Sequence, residues 1–356
     1  MKQTEAIKSF NQLGEDLRGF LKYPSSSKYE DWNTALKLAE QQNGWFTRDN
    51  IISALHGIEY WLATKSLENW LANYPELPKE NTKAITISVV MAGNIPLVGF
   101  HDFICILLTG NIIEAKLSHS DKVLLQFLAK KLIAIEPGWE KHIKFIDKLS
   151  SSANAIIATG SNNTARHFEY YFRNVPNIIR RNRNGVAILD GSETTEELAK
   201  LGEDIFSYFG LGCRNISKMY VPESYDLAIF FRAIEKFSDV INHNKYNNNY
   251  SYNRTIFLMD GKIFTDNNFL AVIEDPLIPS PIAVLHYEKY KDLSTLAESL
   301  SVQKDLIQCI ATSERVSKKL GNMPIPVVNF GETQSPKLLD YADGVDVMKF
   351  ILEQGK

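Results

Sequence analysis

Ala84-Ile85-Thr86-Ile87-Ser88-Val89-Val90, running into Met91-Ala92-Gly93-Asn94-Ile95-Pro96, decides the fold class. The first seven residues are dominated by β-branched side chains, whose restricted χ1 suits a pleated, half-buried strand. Glycine, asparagine and proline then break the run, and Pro96 to Leu108 is apolar enough for a buried helix. The alternation repeats downstream. Strands are predicted over 111–117 and 154–158, with helical stretches over 120–134, 138–149 and 163–172. Strands separated by helices of this length imply right-handed crossovers and a mostly parallel sheet.

Before this block the chain reads as helical. Ile51, Leu55, Ile58 and Leu62 recur at three- and four-residue intervals, which puts them on one helix face, and a Pro-, Glu- and Asn-rich linker over 74–82 closes the section. A second α/β block starts near Val186-Ala187-Ile188-Leu189, with helices over 196–209 and 224–241 and a strand at 219–221. Residues 243–253, rich in asparagine, predict a surface loop. Further strands and one helix fill 255–330. The expected architecture is two α/β lobes with a cleft between them, where ligands usually bind.

Composition narrows the class. At 356 residues the chain is long enough for two domains. With 44% hydrophobic and 23% charged residues and a net charge of −3, it shows neither a nucleic-acid footprint nor a basic membrane-binding face. The most apolar stretch, 85–113, is interrupted by Asn94, Pro96, His101 and Asp102, so it falls short of a membrane span. Three scattered cysteines and an N-terminus without a basic-then-apolar pattern point to a soluble protein of the reducing cytoplasm. The seven histidines show no metal-ligand spacing, so no metal is expected.

Four fragments carry chemistry. A lone cysteine is ordinarily a small buried hydrophobe, which is the reading for Cys105 and Cys309. Cys213 differs: it lies between a helix and a strand, follows Gly210-Leu211-Gly212, and has Arg214 beside it. Backbone amides and positive charge favour the thiolate, the reactive form. The two glycines do not make a dinucleotide fingerprint, because they follow a helix and lack the third glycine. Asn94, at the strand-to-helix turn, either caps the helix or donates its amide to an oxyanion. Lys116 ends a strand, where it is a surface lysine or a nucleotide contact. Gly160-Ser161 sits between strand and helix, where backbone amides can receive a phosphate.

In this order and spacing the fragments resemble the aldehyde dehydrogenase superfamily. More narrowly, they resemble the acyl-CoA reductases related to the fatty-acid reductase component of bacterial bioluminescence. Residues 91–114, Gly160-Ser161, 210–217 and the tail from Asn329-Phe330-Gly331-Glu332-Thr333-Gln334 to Asp346 carry the likeness. It implies an aldehyde-dehydrogenase-like fold with two Rossmann-type parallel-sheet lobes. It divides the chain into a helical section 1–82, a dinucleotide-binding lobe 83–183, a catalytic lobe 184–328 and a return segment 329–356. Cys213 is then the nucleophile, Asn94 and the Cys213 backbone amide the oxyanion hole, Lys116 the adenosine-ribose contact, and Gly160-Ser161 the neighbour of the pyrophosphate.

Departures from that pattern sharpen the expectation. Aldehyde-oxidising members place a glutamate roughly three dozen residues before the cysteine to activate water. Here that region reads Ile178-Ile179-Arg180-Arg181-Asn182-Arg183, with no carboxylate, which favours thioester reduction over hydrolysis. Where NAD-preferring members hold the ribose 2′-hydroxyl with a glutamate, the chain reads Leu117-Ser118-His119, leaving room for a 2′-phosphate and favouring NADPH over NADH. Glu274 lies near, but out of register with, the glutamate that usually holds the nicotinamide ribose. The expected reaction is reduction of an acyl-CoA or acyl-carrier thioester, long-chain fatty acyl groups included, to an aldehyde through a covalent acyl-cysteine. Two alternatives stay open: an acyltransferase or thioesterase using the same cysteine without reduction, and a non-catalytic scaffold. The likeness also implies a dimer or tetramer, a homodimer being the simplest, although no segment reads as an oligomerisation element.

Overall fold

A computed structural model describes residues 1–150 and 152–355. The chain forms two compact units, Met1–Arg181 with Lys337–Lys356, and Asn182–Pro336.

The first unit opens with α1 (Gln3–Lys22), α2 (Glu30–Gln42), α3 (Arg48–Leu62) and α4 (Thr64–Leu71). The α3 face predicted from periodicity is buried at Ile51, Leu55, Ile58 and Leu62, and Thr47 caps the helix by accepting from Asn50 N–H at 3.3 Å. There follow β1 (Thr86–Val90), α5 (Phe100–Leu108), β2 (Ile112–Lys116), α6 (Val123–Ile135), β3 (Ile143–Phe145), β4 (Ala155–Thr159), α7 (Asn162–Phe172) and β5 (Asn177–Arg180). The strands make one parallel sheet in the order β3-β2-β1-β4-β5. Phe10, Leu13 and Leu17 of α1, the buried face of α5 and the inward residues of β1, β2 and β4 share one apolar core. The helical section therefore has no core of its own.

Two strands in this unit escaped periodicity. The stretch 138–149, expected as helix, begins with a single 3₁₀ turn at Pro137–Lys141 and becomes β3, which pairs Ile143 with Ile113 of β2. Only Ile143 of β3 is buried, so the strand exists because β2 offers an open edge and carries no alternating pattern of its own. β5 likewise pairs with the outer edge of β4.

The second unit contains β6 (Asn184–Ile188), α8 (Thr195–Phe206), β7 (Ile216–Pro222), α9 (Leu227–Ile234), α10 (Asn244–Met259), β8 (Phe264–Asp266), β9 (Ala271–Glu274), β10 (Val284–Tyr290), α11 (Leu293–Val302), β11 (Ile307–Thr312), α12 (Glu314–Leu320) and β12 (Val327–Asn329). Its sheet runs β12-β11-β6-β7-β10-β9-β8, parallel except for β8 against β9. After Pro336 the chain returns to the first unit, where α13 (Val347–Gln354) buries Val347, Met348 and Ile351 in the helical core.

Here too the sequence expectation needs correction. The asparagine-rich 243–253 is not a loop. It starts α10, whose Tyr246, Tyr250, Asn253 and Phe257 recur at three- and four-residue intervals and are buried, while most of the asparagines face outward. The polar composition masked an aromatic stripe. The stretch 224–241 divides into α9 and a 3₁₀ segment, Glu235–Asn242, and 255–330 holds the two helices α11 and α12 besides the end of α10.

Candidate active site

In the first unit the chain passes from β1 to β2 on one side and to β4 on the other, so the strand order reverses at β1. The carboxyl ends of strands flanking such a reversal are where open α/β sheets bind ligands. The structure brings six of the predicted site residues to this edge. Asn94 is exposed four residues beyond β1, Lys116 is the half-buried last residue of β2, and Ser118 and His119 follow it. Gly160 and Ser161 join β4 to α7.

Backbone bonds fix these turns to one another. Met91 N–H donates to Lys116 O at 3.0 Å, and Gly160 N–H donates to Arg180 O at 3.3 Å. Ser161 caps α7, its Oγ accepting from Thr164 N–H at 3.3 Å. α7 thus starts at the carboxyl end of β4, and a helix start at a sheet edge is an arrangement that suits an anion. The residues present thus fit a dinucleotide: a switch-point edge, a capped helix start and a lysine on the adjoining strand.

Asp121 was not singled out in the sequence. Its side chain is 7% exposed, and Oδ2 accepts from Leu97 N–H at 2.7 Å. Burial drives its carboxyl up to about 7, only partly opposed by the Leu97 bond. Arg180, the last residue of β5, forms a bidentate pair with Asp102 in the first turn of α5, at 2.6 and 2.8 Å. Both side chains are buried, and the pairing holds the Arg180 guanidinium well above its ordinary value. The arginine found where a general-base glutamate was sought is therefore part of an interior ion pair.

In the second unit Cys213 is half-buried in the turn entering β7, at the amino rather than the carboxyl end of its strand. The helix expected to reach 209 stops at Phe206. Tyr208 and Phe209 then adopt left-handed conformations (φ 51° and 57°), followed by Gly210 at 78°. Each non-glycine residue there costs about 1–2 kcal/mol, offset in part by Phe209 stacking on His243 with centroids 4.2 Å apart. The reversal turns the chain back towards β7.

Asn215, buried at 2% exposure, locks the turn. Its Oδ1 accepts from Gly212 N–H at 2.7 Å, and Nδ2 donates to Asp204 O at 2.9 Å and Ser207 O at 2.8 Å. The side chain thereby satisfies carbonyls left over at the end of α8. Alongside, a Cβ at Gly185 of β6 would lie 2.7 Å from Arg214 O, so only glycine lets the turn press this close.

The tail motif 329–334 meets the same turn. Arg214 Nε donates to Thr333 O. Asp204 accepts from Gly331 N–H at 2.7 Å and from Thr333 N–H and Oγ at 3.1 and 2.7 Å. With both oxygens committed, Asp204 is an anchor rather than a base for water. Its burial nonetheless raises the carboxyl to about 6. Cys309, on β11, is fully buried and its thiol is pushed up to about 12 by desolvation, which makes it a packing residue. Cys105 is equally buried on α5.

Among the described residues no cluster of His, Cys, Asp and Glu is grouped to hold a metal ion, and no helix is long and apolar enough to cross a membrane.

The family model described as acyl-CoA reductase (LuxC) matches residues 18–229, a span containing both the Asn94 and the Cys213 turns. No curated protein matches the chain. Among solved structures, aldehyde dehydrogenase 21 of Physcomitrella patens, complexed with its product succinate, superposes with a TM-score of 0.68 at 12% identity, covering 99% of this chain and 84% of that one. An aldehyde dehydrogenase from Bacillus cereus, in complex with NAD⁺, gives 0.65 at 12% identity over 92% and 76%. An acetylating aldehyde dehydrogenase from Geobacillus thermoglucosidasius gives 0.61 at 11% identity over 96% and 84%. At these identities the likeness establishes the fold, which is that of the aldehyde dehydrogenases.

Proposed function

Because the chain belongs to the acyl-CoA reductase (LuxC) family, we propose that it reduces an acyl thioester to an aldehyde through a covalent acyl group on Cys213. The observation that carries this reading is the family match across 18–229, which spans the thiol turn and the amide turn together.

In the proposed sequence the Cys213 thiolate attacks the thioester carbonyl. The Asn94 side-chain amide and the Cys213 backbone N–H hold the oxyanion, a donor whose loss typically costs about 10²–10³ in rate. The tetrahedral intermediate collapses with cleavage of the original C–S bond, and the departing thiolate of CoA or a carrier takes up a proton. The nicotinamide cofactor, when bound, would supply a hydride, and its addition to the acyl-cysteine carbonyl would give a tetrahedral thiohemiacetal alkoxide held by the same two donors. As that alkoxide re-forms its C=O bond, the carbon–Sγ bond breaks, and aldehyde leaves with the Cys213 thiolate restored. Asp204, saturated by three donors, does not serve as a base for hydrolysis of the acyl-cysteine.

Lys116 is assigned to the adenosine ribose and Gly160-Ser161 to the pyrophosphate. Ser118 and His119, where a carboxylate would repel a 2′-phosphate, favour NADPH over NADH. The reading includes long-chain acyl groups as substrates and a homodimer in the cytoplasm.

Intact mass after incubation with a fatty acyl-CoA, without NADPH, tests it. The wild type gains one acyl group and Cys213→Ala gains none; the same adduct on Cys213→Ala overturns the assignment. Adding NADPH then yields aldehyde, trapped as a hydrazone, with equimolar NADPH oxidation. An acyl adduct that never consumes NADPH would instead identify an acyltransferase or thioesterase.

A further inference from the structure

The turn that carries Asn94 is held by a side chain outside it. Leu97, three residues on, has φ 58°, a conformation that leucine adopts only under constraint. Its N–H points to Asp121 Oδ2 at 2.7 Å, on the turn that leaves β2. At the other end of the same turn, a Cβ on Gly93 would lie 2.6 Å from the Ser118 side chain and 3.3 Å from Asp121 N. Asn94 thus sits between two points, Gly93 and Leu97, at which its turn is pinned to the 118–121 turn.

The pinning carboxyl is an expensive choice for packing alone. Asp121 is buried, and its Oδ1 has no hydrogen-bond partner among the described residues. Interior carboxylates are normally saturated by donors, as Asp204 is. A buried acceptor whose single partner is a backbone N–H in a strained conformation does one thing: it sets the direction of that backbone.

We propose that Asp121 is a positioning residue for the oxyanion-binding turn, fixing the Asn94 amide through Leu97 N–H and tying it to the turn assigned to the cofactor ribose. It touches neither substrate nor cofactor and acts through Asn94. The inference rests on the reading of Asn94 as oxyanion donor.

A double-mutant cycle on the rate of Cys213 acylation, followed by thiol release from acyl-CoA in rapid mixing, tests it. Asn94→Ala is expected to lose about 10²–10³-fold, and Asp121→Ala about 10–10²-fold, the share of that donor's effect lost to misplacement. In the Asn94→Ala background, Asp121→Ala should cost less than about threefold, because nothing remains to position. Asp121→Asn, which keeps an oxygen for Leu97 N–H, should recover most of the rate. Alkylation of Cys213 by iodoacetamide, which builds no oxyanion, should be the same in all of them. Independent, multiplicative losses, or an Asp121→Ala enzyme that acylates normally, overturn the inference while leaving the Asn94 assignment standing. A silent Asn94→Ala overturns the oxyanion reading itself. Should Asp121→Ala not fold, Asp121→Val serves in the same cycle.

Discussion

Replacing Asn215 by alanine removes three hydrogen bonds at one stroke, at 2.7, 2.8 and 2.9 Å, all inside the turn that presents Cys213. The shortened side chain leaves Gly212 N–H and the carbonyls of Asp204 and Ser207 short of a partner in a site that is 2% exposed. A net hydrogen bond contributes about 1 kcal/mol, and a stranded buried group costs about 1–3. The loss is therefore on the order of 3 kcal/mol, or roughly 6–12 °C in the melting temperature of a unit this size. Asn215→Asp is the sharper perturbation. It keeps the volume and the acceptor for Gly212 but sets a carboxylate oxygen against two carbonyls, so its penalty exceeds that of alanine at neutral pH. Protonation turns that oxygen into a donor for one carbonyl, so the deficit shrinks as pH falls. Calorimetry of both variants between about pH 5 and 8 reads this directly, and Cys213 acylation by acyl-CoA should slow in both. If Asn215→Ala melts within about 1 °C of wild type, or if the Asn215→Asp deficit is independent of pH, the side chain does not hold the turn.

Two other perturbations follow from buried charge. Asp102→Asn leaves the Arg180 guanidinium, bonded bidentately in the wild type, as an uncompensated interior cation. It should destabilise by about 3–5 kcal/mol, and the pair Asp102→Leu with Arg180→Met should restore much of that; equal losses in the two proteins on denaturation would refute it. For Asp121 the folded carboxyl titrates near 7 against an ordinary value of 3.8, so its contribution to stability is complete below the lower value and is lost as pH rises through the upper one. Asp121→Asn removes that titration. Its stability relative to wild type should rise between about pH 4 and 8, towards an alkaline limit on the order of 4 kcal/mol. Denaturant midpoints that differ by the same amount at every pH would contradict this.

The parts of the fold legible in the chain were those whose signal is local. β1 was readable from its run of β-branched residues and is buried on both faces at Ile87, Ser88 and Val89, while Ile51 to Leu62 of α3 bury one face at the helical period. α10 was hidden by its composition: most of its asparagines face solvent, while Tyr246, Tyr250, Asn253 and Phe257 form the buried stripe. β3 and β5 were missed for another reason. Edge strands of this sheet, they are defined by the partner they pair with, and Lys144 and Phe145 of β3 are exposed.

The candidate site divides in the same way. Cys213, Asn94, Lys116 and Gly160-Ser161 announce themselves by type and by their place at breaks between strand and helix. Asn215 lay in plain view beside Cys213, yet only the left-handed run at Tyr208 and Phe209 brings Asp204 O and Ser207 O within its reach.

By itself the amino-acid sequence determined that this is an α/β protein with mostly parallel sheets, and which side chains, at breaks between strand and helix, are candidates for nucleophile, amide donor and phosphate neighbour. Those are properties of residue type and short-range spacing, carried by χ1 restriction, period and turn chemistry. Only the tertiary structure decided that Asp121 reaches back 24 residues to Leu97, and that Asp204 reaches forward 129 to Thr333. A hydrogen bond forms wherever folding places donor and acceptor about 3 Å apart, and sequence separation carries no record of that distance.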